Sequence, residues 1–284
     1  MIANSFEYSA PVSLKEALSL MADGGKPLAG GMSLIPMMKL RLANPEHLVD
    51  LNRIAELHYI REENGAIHIG AGVTHYDLES SPLLMGKCPL LAETASMIGD
   101  IQVRNRGTLG GSVAHADPSA DYPAALHALE AKIVLMSADG TRTVSTEEFF
   151  LDTFTTALEP EEIVAGIIVP VDAGLTGTSY QKFQQPASGF AMVGAAARVR
   201  QEGGKFSMVR VGITGLSGNS YRASNVEAAL EGKDVGDENI KAAAALVADG
   251  QDAASDLHAS AEYRSALAVA YTARALRSAL SRSA

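Results

Sequence analysis

Leu28-Ala29-Gly30-Gly31-Met32-Ser33-Leu34-Ile35-Pro36 places two glycines at the end of a short apolar run. With no Cβ atoms in the way, successive backbone N–H groups at such a turn can form a concave anion site. Ser33 adds a hydroxyl donor suited to a phosphate, and the apolar turn or helix expected over 33–40 adds its positive end. A plain Gly-Gly turn fits the same residues. On either side, Pro27 to Ala29 reads as a buried strand and Leu48-Val49-Asp50-Leu51 as another. Upstream, Ser13-Leu14-Lys15-Glu16 has capping-box spacing, and Leu14, Ala17, Leu18 and Met21 form a helical stripe that Gly24-Gly25 closes. The whole is a small α/β unit with a glycine turn at a strand end.

The design recurs at Arg106-Gly107-Thr108-Leu109-Gly110-Gly111-Ser112, where the Thr108 and Ser112 hydroxyls flank amides expected to be exposed. Asp117-Pro118-Ser119-Ala120-Asp121-Tyr122-Pro123 follows. Asp121 suits two roles, a carboxylate accepting from a ribose or hydroxyl of the same ligand, and the N-cap of a helix with proline in its first turn. Neither glycine segment has the spacing of a Walker loop or of the Gly-x-Gly-x-x-Gly dinucleotide turn. Two separate turns suggest two separated phosphates, and a pyrophosphate between two flat or polar ends would suit them. The residues alone leave FAD, a nucleotide sugar and coenzyme A open.

Between and beyond these turns the chain alternates strands and helices. Asn64-Gly65 and Asp139-Gly140 each sit between β-prone runs, at 59–62 and 66–69 and at 132–136 and 141–144, and predict two hairpins. Residues 90–98 have helical spacing, and 162–169 reads as a strand stopped by Pro170. A linker composition at 171–177 marks a boundary, after which strands are expected at 178–183, 192–199 and 206–213. The remainder turns helical: Ser224 caps 226–230, an Ala-rich helix covers 240–247, and a long helix runs from about 262 to 281. On that last helix Tyr263, Leu267, Ala270 and Tyr271 read as one face, with Arg264, Arg274 and Arg277 largely elsewhere.

The chain has 284 residues, 47% of them hydrophobic, so it can bury a substantial core without staples. A net charge of −10 with no basic run argues against nucleic acid or an anionic membrane as partner. No stretch reads as a secretory signal or transmembrane segment, and a cytoplasmic location is expected. Cys88 is the single cysteine, which excludes an intrachain disulfide and an iron–sulfur site built from this chain alone. No histidine pair has helical metal-site spacing, so no metal ligand is assigned, and no catalytic residue presents itself. His115 lies near the second turn in a supporting or packing role.

Taken together, Ser5-Phe6-Glu7-Tyr8, Ala29 to Leu34, Thr108 to Ser112, Tyr180-Gln181-Lys182-Phe183, Ala187-Ser188-Gly189-Phe190-Ala191 and Ala261-Glu262-Tyr263-Arg264 resemble the FAD-binding medium subunits of the xanthine dehydrogenase and carbon monoxide dehydrogenase family of molybdenum hydroxylases. The resemblance runs through nearly the whole chain. It implies an α+β protein with a two-part FAD-binding domain of the vanillyl-alcohol-oxidase (PCMH-type) fold, over 1–57 and 58–174. An α/β C-terminal domain with a three-stranded antiparallel sheet would occupy 175–284. Ala29, Gly30, Gly31, Met32, Ser33 and Leu34 would hold the FAD pyrophosphate together with Thr108, Leu109, Gly110, Gly111 and Ser112. Asp121 would lie by the ribityl and phosphate chain, Lys182 close to the flavin, and the Val164 backbone near the adenine end. Phe190, a tyrosine in several relatives, keeps an aromatic face beside the isoalloxazine but no hydroxyl.

Met32 replaces a histidine of carbon monoxide dehydrogenase relatives, although a CO dehydrogenase-like complex remains the leading specific reading. The implied role is a relay: a large subunit carries the molybdenum cofactor, a small subunit carries [2Fe-2S] clusters, and this chain passes electrons to a quinone, NAD or oxygen. The implied assembly is a dimer of heterotrimers, cytoplasmic or peripheral to the inner face of a membrane. A free-standing FAD oxidoreductase and a non-catalytic nucleotide-binding assembly module are the alternatives.

Overall fold

The computed structural model describes residues 2–172 and 174–283, so Ala173 of the expected linker lies outside the described residues. The first unit runs β1 (Glu7–Ser9), α1 (Leu14–Ala22), β2 (Lys26–Leu28), α2 (Leu34–Lys39) and β3 (His47–Asp50). Its sheet has the order β1-β3-β2 with both pairings parallel. Parallel neighbours cannot be joined by a tight turn, and α1 and α2 supply the crossings. The Ser13 hydroxyl accepts from Glu16 N, but the Glu16 carboxylate accepts from Val12 N, so the capping box is half formed. Ala17, Leu18 and Met21 are buried as the helical stripe requires.

The second unit opens with the hairpin β4 (Ile60–Glu63) and β5 (Ala66–Gly70). Asn64 (φ 52°) and Gly65 (φ 75°) carry the two positive φ angles that a two-residue hairpin turn demands. Helices α3 (His75–Ser80), α4 (Pro82–Lys87), α5 (Pro89–Ser96), α6 (Ile101–Arg104), α7 (Leu109–His115) and α8 (Tyr122–Ala128) follow. Then come β6 (Lys132–Ser137), β7 (Gly140–Ser145), α9 (Thr146–Phe149), β8 (Phe150–Asp152), β9 (Thr155–Thr156) and β10 (Ile163–Pro170). The main sheet is antiparallel with the order β4-β5-β10-β6-β7, while β8 and β9 pair separately. β10 bulges between Val164 and Gly166, and the freed Ala165 carbonyl accepts from Ala71 N at 3.0 Å. A bulge thus ties the centre of the sheet to the segment leading to the second glycine turn.

The last unit runs β11 (Gly177–Gln184), β12 (Ala191–Glu202), β13 (Lys205–Thr214), β14 (Tyr221–Arg222), α10 (Ser224–Leu230), α11 (Asp237–Ala244) and α12 (Ala261–Ser281). The expected three strands form the sheet, and the two-residue β14 extends its edge. Alternation along β12 sends Val193, Ala195, Ala197 and Val199 into a core shared with α10, α11 and α12. Ala196 and Tyr180 face the other way, into the core of the first two units. The sheet is therefore the wall between two cores, and α8 packs so closely on it that a Cβ at Gly212 would lie 2.0 Å from Ala124 O.

Two details correct the sequence reading. α10 begins at Ser224 with Ala223 in the cap position, and Ser224 caps nothing. On α12, Arg264 is buried and Tyr263 exposed, because the guanidinium closes a long-range gap: it donates to Met192 O (2.6 Å), Gly215 O (2.8 Å) and Asp256 (2.6 Å). Charge completes the docking. Glu130, just past α8, meets Arg198, Arg210 and Arg222 of the sheet within 3.3 Å, and Asp172 pairs with Arg198 and Arg200.

Candidate functional site

At the end of β2 the chain turns through Ala29 to Ser33 with the Ala29, Gly31 and Ser33 carbonyls tied back into the protein. Ala29 O accepts from Asn52 Nδ2 (2.9 Å), Asp50 Oδ1 holds that amide (2.5 Å), and Asp50 Oδ2 accepts from Tyr8 OH (2.5 Å). Gly31 and Ser33 carbonyls accept from Ile35 N and Met37 N as α2 begins. Gly31 has φ 74°, a conformation glycine adopts without strain. Among the described residues, the N–H groups of Gly30, Gly31, Met32 and Ser33 have no protein acceptor. The Ser33 hydroxyl is likewise uncommitted to the helix cap. Asn52, Asp50 and Tyr8 were missed from the sequence. The signal was the Asp50-x-Asn52 turn directly after a strand.

The second turn lies against the first. A Cβ at Gly30 would fall 2.1 Å from Arg106 O and 2.7 Å from Gly107 Cα, so the two backbones touch. Here the expectation of exposed amides fails. Leu109 N donates to Val73 O (3.0 Å), Gly110 N to Ala71 O (2.9 Å), and Ser112 N to Thr108 O (3.0 Å). Gly111 N donates to Thr108 Oγ1 (3.1 Å). The segment is the capped start of α7 laid along the end of β5, and its amides are consumed by that packing. What it offers outward is the half-buried Ser112 and the bare, exposed Gly111, while Thr108 is buried and its hydroxyl, which accepts from Gly111 N, keeps only its own proton to donate. A Cβ on Gly111 would meet only Thr108 Oγ1 (2.8 Å) and Ala29 Cβ (3.7 Å). Gly110 instead packs on Ala71, with an added Cβ 2.4 Å from Ala71 Cβ.

Asp121 stands at the start of α8, but its side chain makes no cap bond. It turns to β11, where Tyr180 OH donates to Oδ1 (2.6 Å) and Lys182 Nζ lies 2.9 Å from Oδ1 and 3.1 Å from Oδ2. Lys182 also donates to Met97 O (2.8 Å). The ion pair is buried, and burial raises the Asp121 pKa despite the attraction of Lys182 and the Tyr180 bond. The C-terminal sheet grips the approach as well: Thr214 Oγ1 donates to Pro118 O and Ala120 O, Gly215 N to Pro118 O, and Ala191 N to Ser119 O. Behind the second turn, His75 accepts from or donates to Tyr122 OH (2.9 Å), and its ring fills the space a Gly107 side chain would take.

Met32 and Phe190 are both exposed apolar side chains, Phe190 at the end of a short loop knit together by the Gln185 side chain. Val164 is buried in β10 beside the bulge, one residue from the carbonyl that holds Ala71. His115 packs its ring on Phe154 at 5.0 Å. Burial drives the Cys88 thiol up to about 12, which removes it as a nucleophile.

Burial also drops His75 and His127 to about 4, below the 6.5 of an unfolded histidine. Both are neutral in the fold and must charge when it opens in acid. Stability is then intact above pH 6.5 and falls as the pH drops toward 4, by up to about 1.4 kcal/mol per pH unit for each ring. Urea melts between pH 7 and 4 should show this slope, and a flat profile would contradict the burial.

A diphosphate needs clustered donors and a backbone free of side chains. The open amides of 30–33, the Ser33 hydroxyl and the bare Gly111 beside Ala29 meet that need. Residues 4–172 match the family described as the FAD binding domain in molybdopterin dehydrogenase, and 178–279 match the CO dehydrogenase flavoprotein C-terminal domain. The carbon monoxide dehydrogenase medium chain of Hydrogenophaga pseudoflava is 44% identical across 100% of both chains. The glyceraldehyde dehydrogenase medium chain of Sulfolobus acidocaldarius is 36% identical, covering 98% of this chain and 99% of the relative. Among solved structures, carbon monoxide dehydrogenase from Hydrogenophaga pseudoflava matches with a TM-score of 0.97 at 45% identity, over 100% of both chains. Quinoline 2-oxidoreductase from Pseudomonas putida 86 matches at 0.94 and 33%, again over 100% of both. The chain belongs to the xanthine dehydrogenase and carbon monoxide dehydrogenase family, as an FAD-binding medium subunit.

Proposed function

We propose that this chain holds FAD across its two glycine turns and serves as the electron-exit subunit of a carbon monoxide dehydrogenase-like complex. The observation that carries the reading is the set of unengaged amides at Gly30, Gly31, Met32 and Ser33, in a turn whose Ala29, Gly31 and Ser33 carbonyls Asn52 and α2 tie down. Those amides and Ser33 bind the pyrophosphate, with Ala29 and Leu34 shaping the turn. Thr108 and Ser112 add hydroxyls, while Leu109 and Gly110 anchor their turn to the sheet and Gly111 leaves room. Asp121 and Lys182 meet the ligand from opposite units, Val164 borders its adenine end, and Met32 and Phe190 offer apolar cover to the ring. When bound, FAD supplies the capacity to take up electrons and hand them on, and the protein supplies grip, orientation and charge.

The single cysteine and the lack, among the described residues, of any group of three or more His, Cys, Asp or Glu side chains able to hold a metal support placing the [2Fe-2S] clusters and the molybdenum cofactor on partner subunits. The division 1–57, 58–174 and 175–284 follows the three main sheets. A dimer of heterotrimers and a quinone, NAD or oxygen as acceptor complete the proposal. Among the described residues no helix is long and apolar enough to cross a membrane, and a cytoplasmic or peripheral location accords with that. Isolation of the native complex tests the reading. It should be yellow, with one FAD for each copy of this chain, and a colourless complex that takes up no FAD would refute it.

A further inference from the structure

Tyr180 and Lys182 are two residues apart on β11 and so share a face, the one turned toward Asp121. Across the ladder they pair with Ala196 and Gly194. A Cβ at Gly194 would lie 2.4 Å from the Tyr180 hydroxyl, so the bare glycine is the seat on which that oxygen rests. The backbone of Tyr180 is pinned from outside the sheet, its N–H donating to Glu93 Oε2 at 3.2 Å. With ring and backbone both fixed, the phenol reaches Asp121 Oδ1 at 2.6 Å, the short distance of a bond to a charged acceptor. Tyr180 is fully buried.

We propose that Tyr180 is a positioning residue of the flavin site, its Gly194-seated phenol fixing the carboxylate of Asp121 and through it the ammonium of Lys182. The inference rests on the FAD reading given above. Asp121 and Lys182 come from different units, and their side chains are buried against each other. The fully buried Tyr180 phenol, seated on Gly194 and bonded to the carboxylate, sets where their charges sit. The charged and titratable groups around the carboxylate are Lys182 and Tyr180 from β11, Tyr122 on its own helix, and Asp117 on the approach. Burial pushes Asp121 toward its neutral form, Lys182 and the phenol oppose this, and Asp117 adds to it. Removal of the phenol leaves the acid easier to protonate. A neutral Asp121 would leave the buried ammonium uncompensated beside the ligand.

Tyr180→Phe in the purified complex should weaken FAD binding by about tenfold, the scale of a charge-assisted hydrogen bond. The acid limb of FAD retention should also move to higher pH, because Asp121 takes up its proton earlier. Gly194→Ala, which lifts the phenol off its seat, should give the same displaced limb and serves if Tyr180→Phe folds poorly. Wild-type affinity, or a loss equal at every pH with the limb in place, would make Tyr180 a packing residue and overturn the inference. Wild-type complex that holds no FAD at any pH would instead sink the underlying reading.

Discussion

Gly111→Val should cost the chain its FAD and little of its stability, with affinity falling by at least about 100-fold, the equivalent of about 2.7 kcal/mol. The side chain would enter the space between Thr108 Oγ1 and Ala29 Cβ, between the two turns, where the proposed pyrophosphate needs direct access to backbone. Its internal cost is small. Only Thr108 Oγ1 must give, by rotating out of a cap bond worth about 1 kcal/mol, and valine is the better helix former of the two. Melting should shift by no more than about 4 °C. Gly110→Val should behave in the opposite way. Its Cβ would press on Ala71 Cβ and lie 2.8 Å from Ala71 O, which itself accepts from Gly110 N, so neither strand nor helix can retreat. Overpacking of that kind costs about 1–3 kcal/mol or more. Equal FAD loss with equal destabilisation in both variants would refute the division of labour between these neighbours.

Lys182→Met should destabilise the chain by about 3–5 kcal/mol at neutral pH, because it strands a buried carboxylate. The Lys182 side chain is fully buried and that of Asp121 nearly so. Tyr180 would remain as a single donor. The stranded acid can escape only by taking up a proton, which raises its pKa further in the folded state. A carboxyl raised in the fold favours folding at low pH, so the deficit should be largest at pH 7 and shrink as the pH falls. Asp121→Asn added to Lys182→Met should recover much of the loss. Urea melts at pH 7 and pH 5 decide the matter, and a deficit independent of pH would mean that the pair contributes packing and no charge.

Those two pairs also mark where the sequence could be read and where it could not. Asn64-Gly65 announced its hairpin because the geometry is written in the positive φ of both turn residues, whereas at Asp139-Gly140 only Gly140 has positive φ (152°) and it already pairs with Ser137, so the second hairpin forms with its loop at 138–139. The turn at Gly30-Gly31 was legible for the same local reason. The turn at Gly110-Gly111 has the same local pattern, yet its amides are spent on Val73 and Ala71, more than thirty residues earlier in the chain. Asp121 carried the local signature of an N-cap, and a tyrosine and lysine about sixty residues later overrode it. Arg264 has the spacing of a solvent-facing charge on an amphipathic helix, but the carbonyls of Met192 and Gly215 arrive from another part of the sheet and bury it. α3 and α4, for which the sequence reading holds no expectation, are two short helices capped by Thr74 and Ser81. In most of these cases the deciding partner is distant in sequence, and spacing rules see only neighbours.

The central claim is that FAD is gripped by the free amides of the first turn and not by those of the second. Amide hydrogen exchange of the complex with and without FAD measures this residue by residue. Residues 30–33 should exchange fast without FAD and become protected on binding, while 109–112 should be slow in both states. FAD that binds fully and leaves 30–33 unprotected would contradict the account.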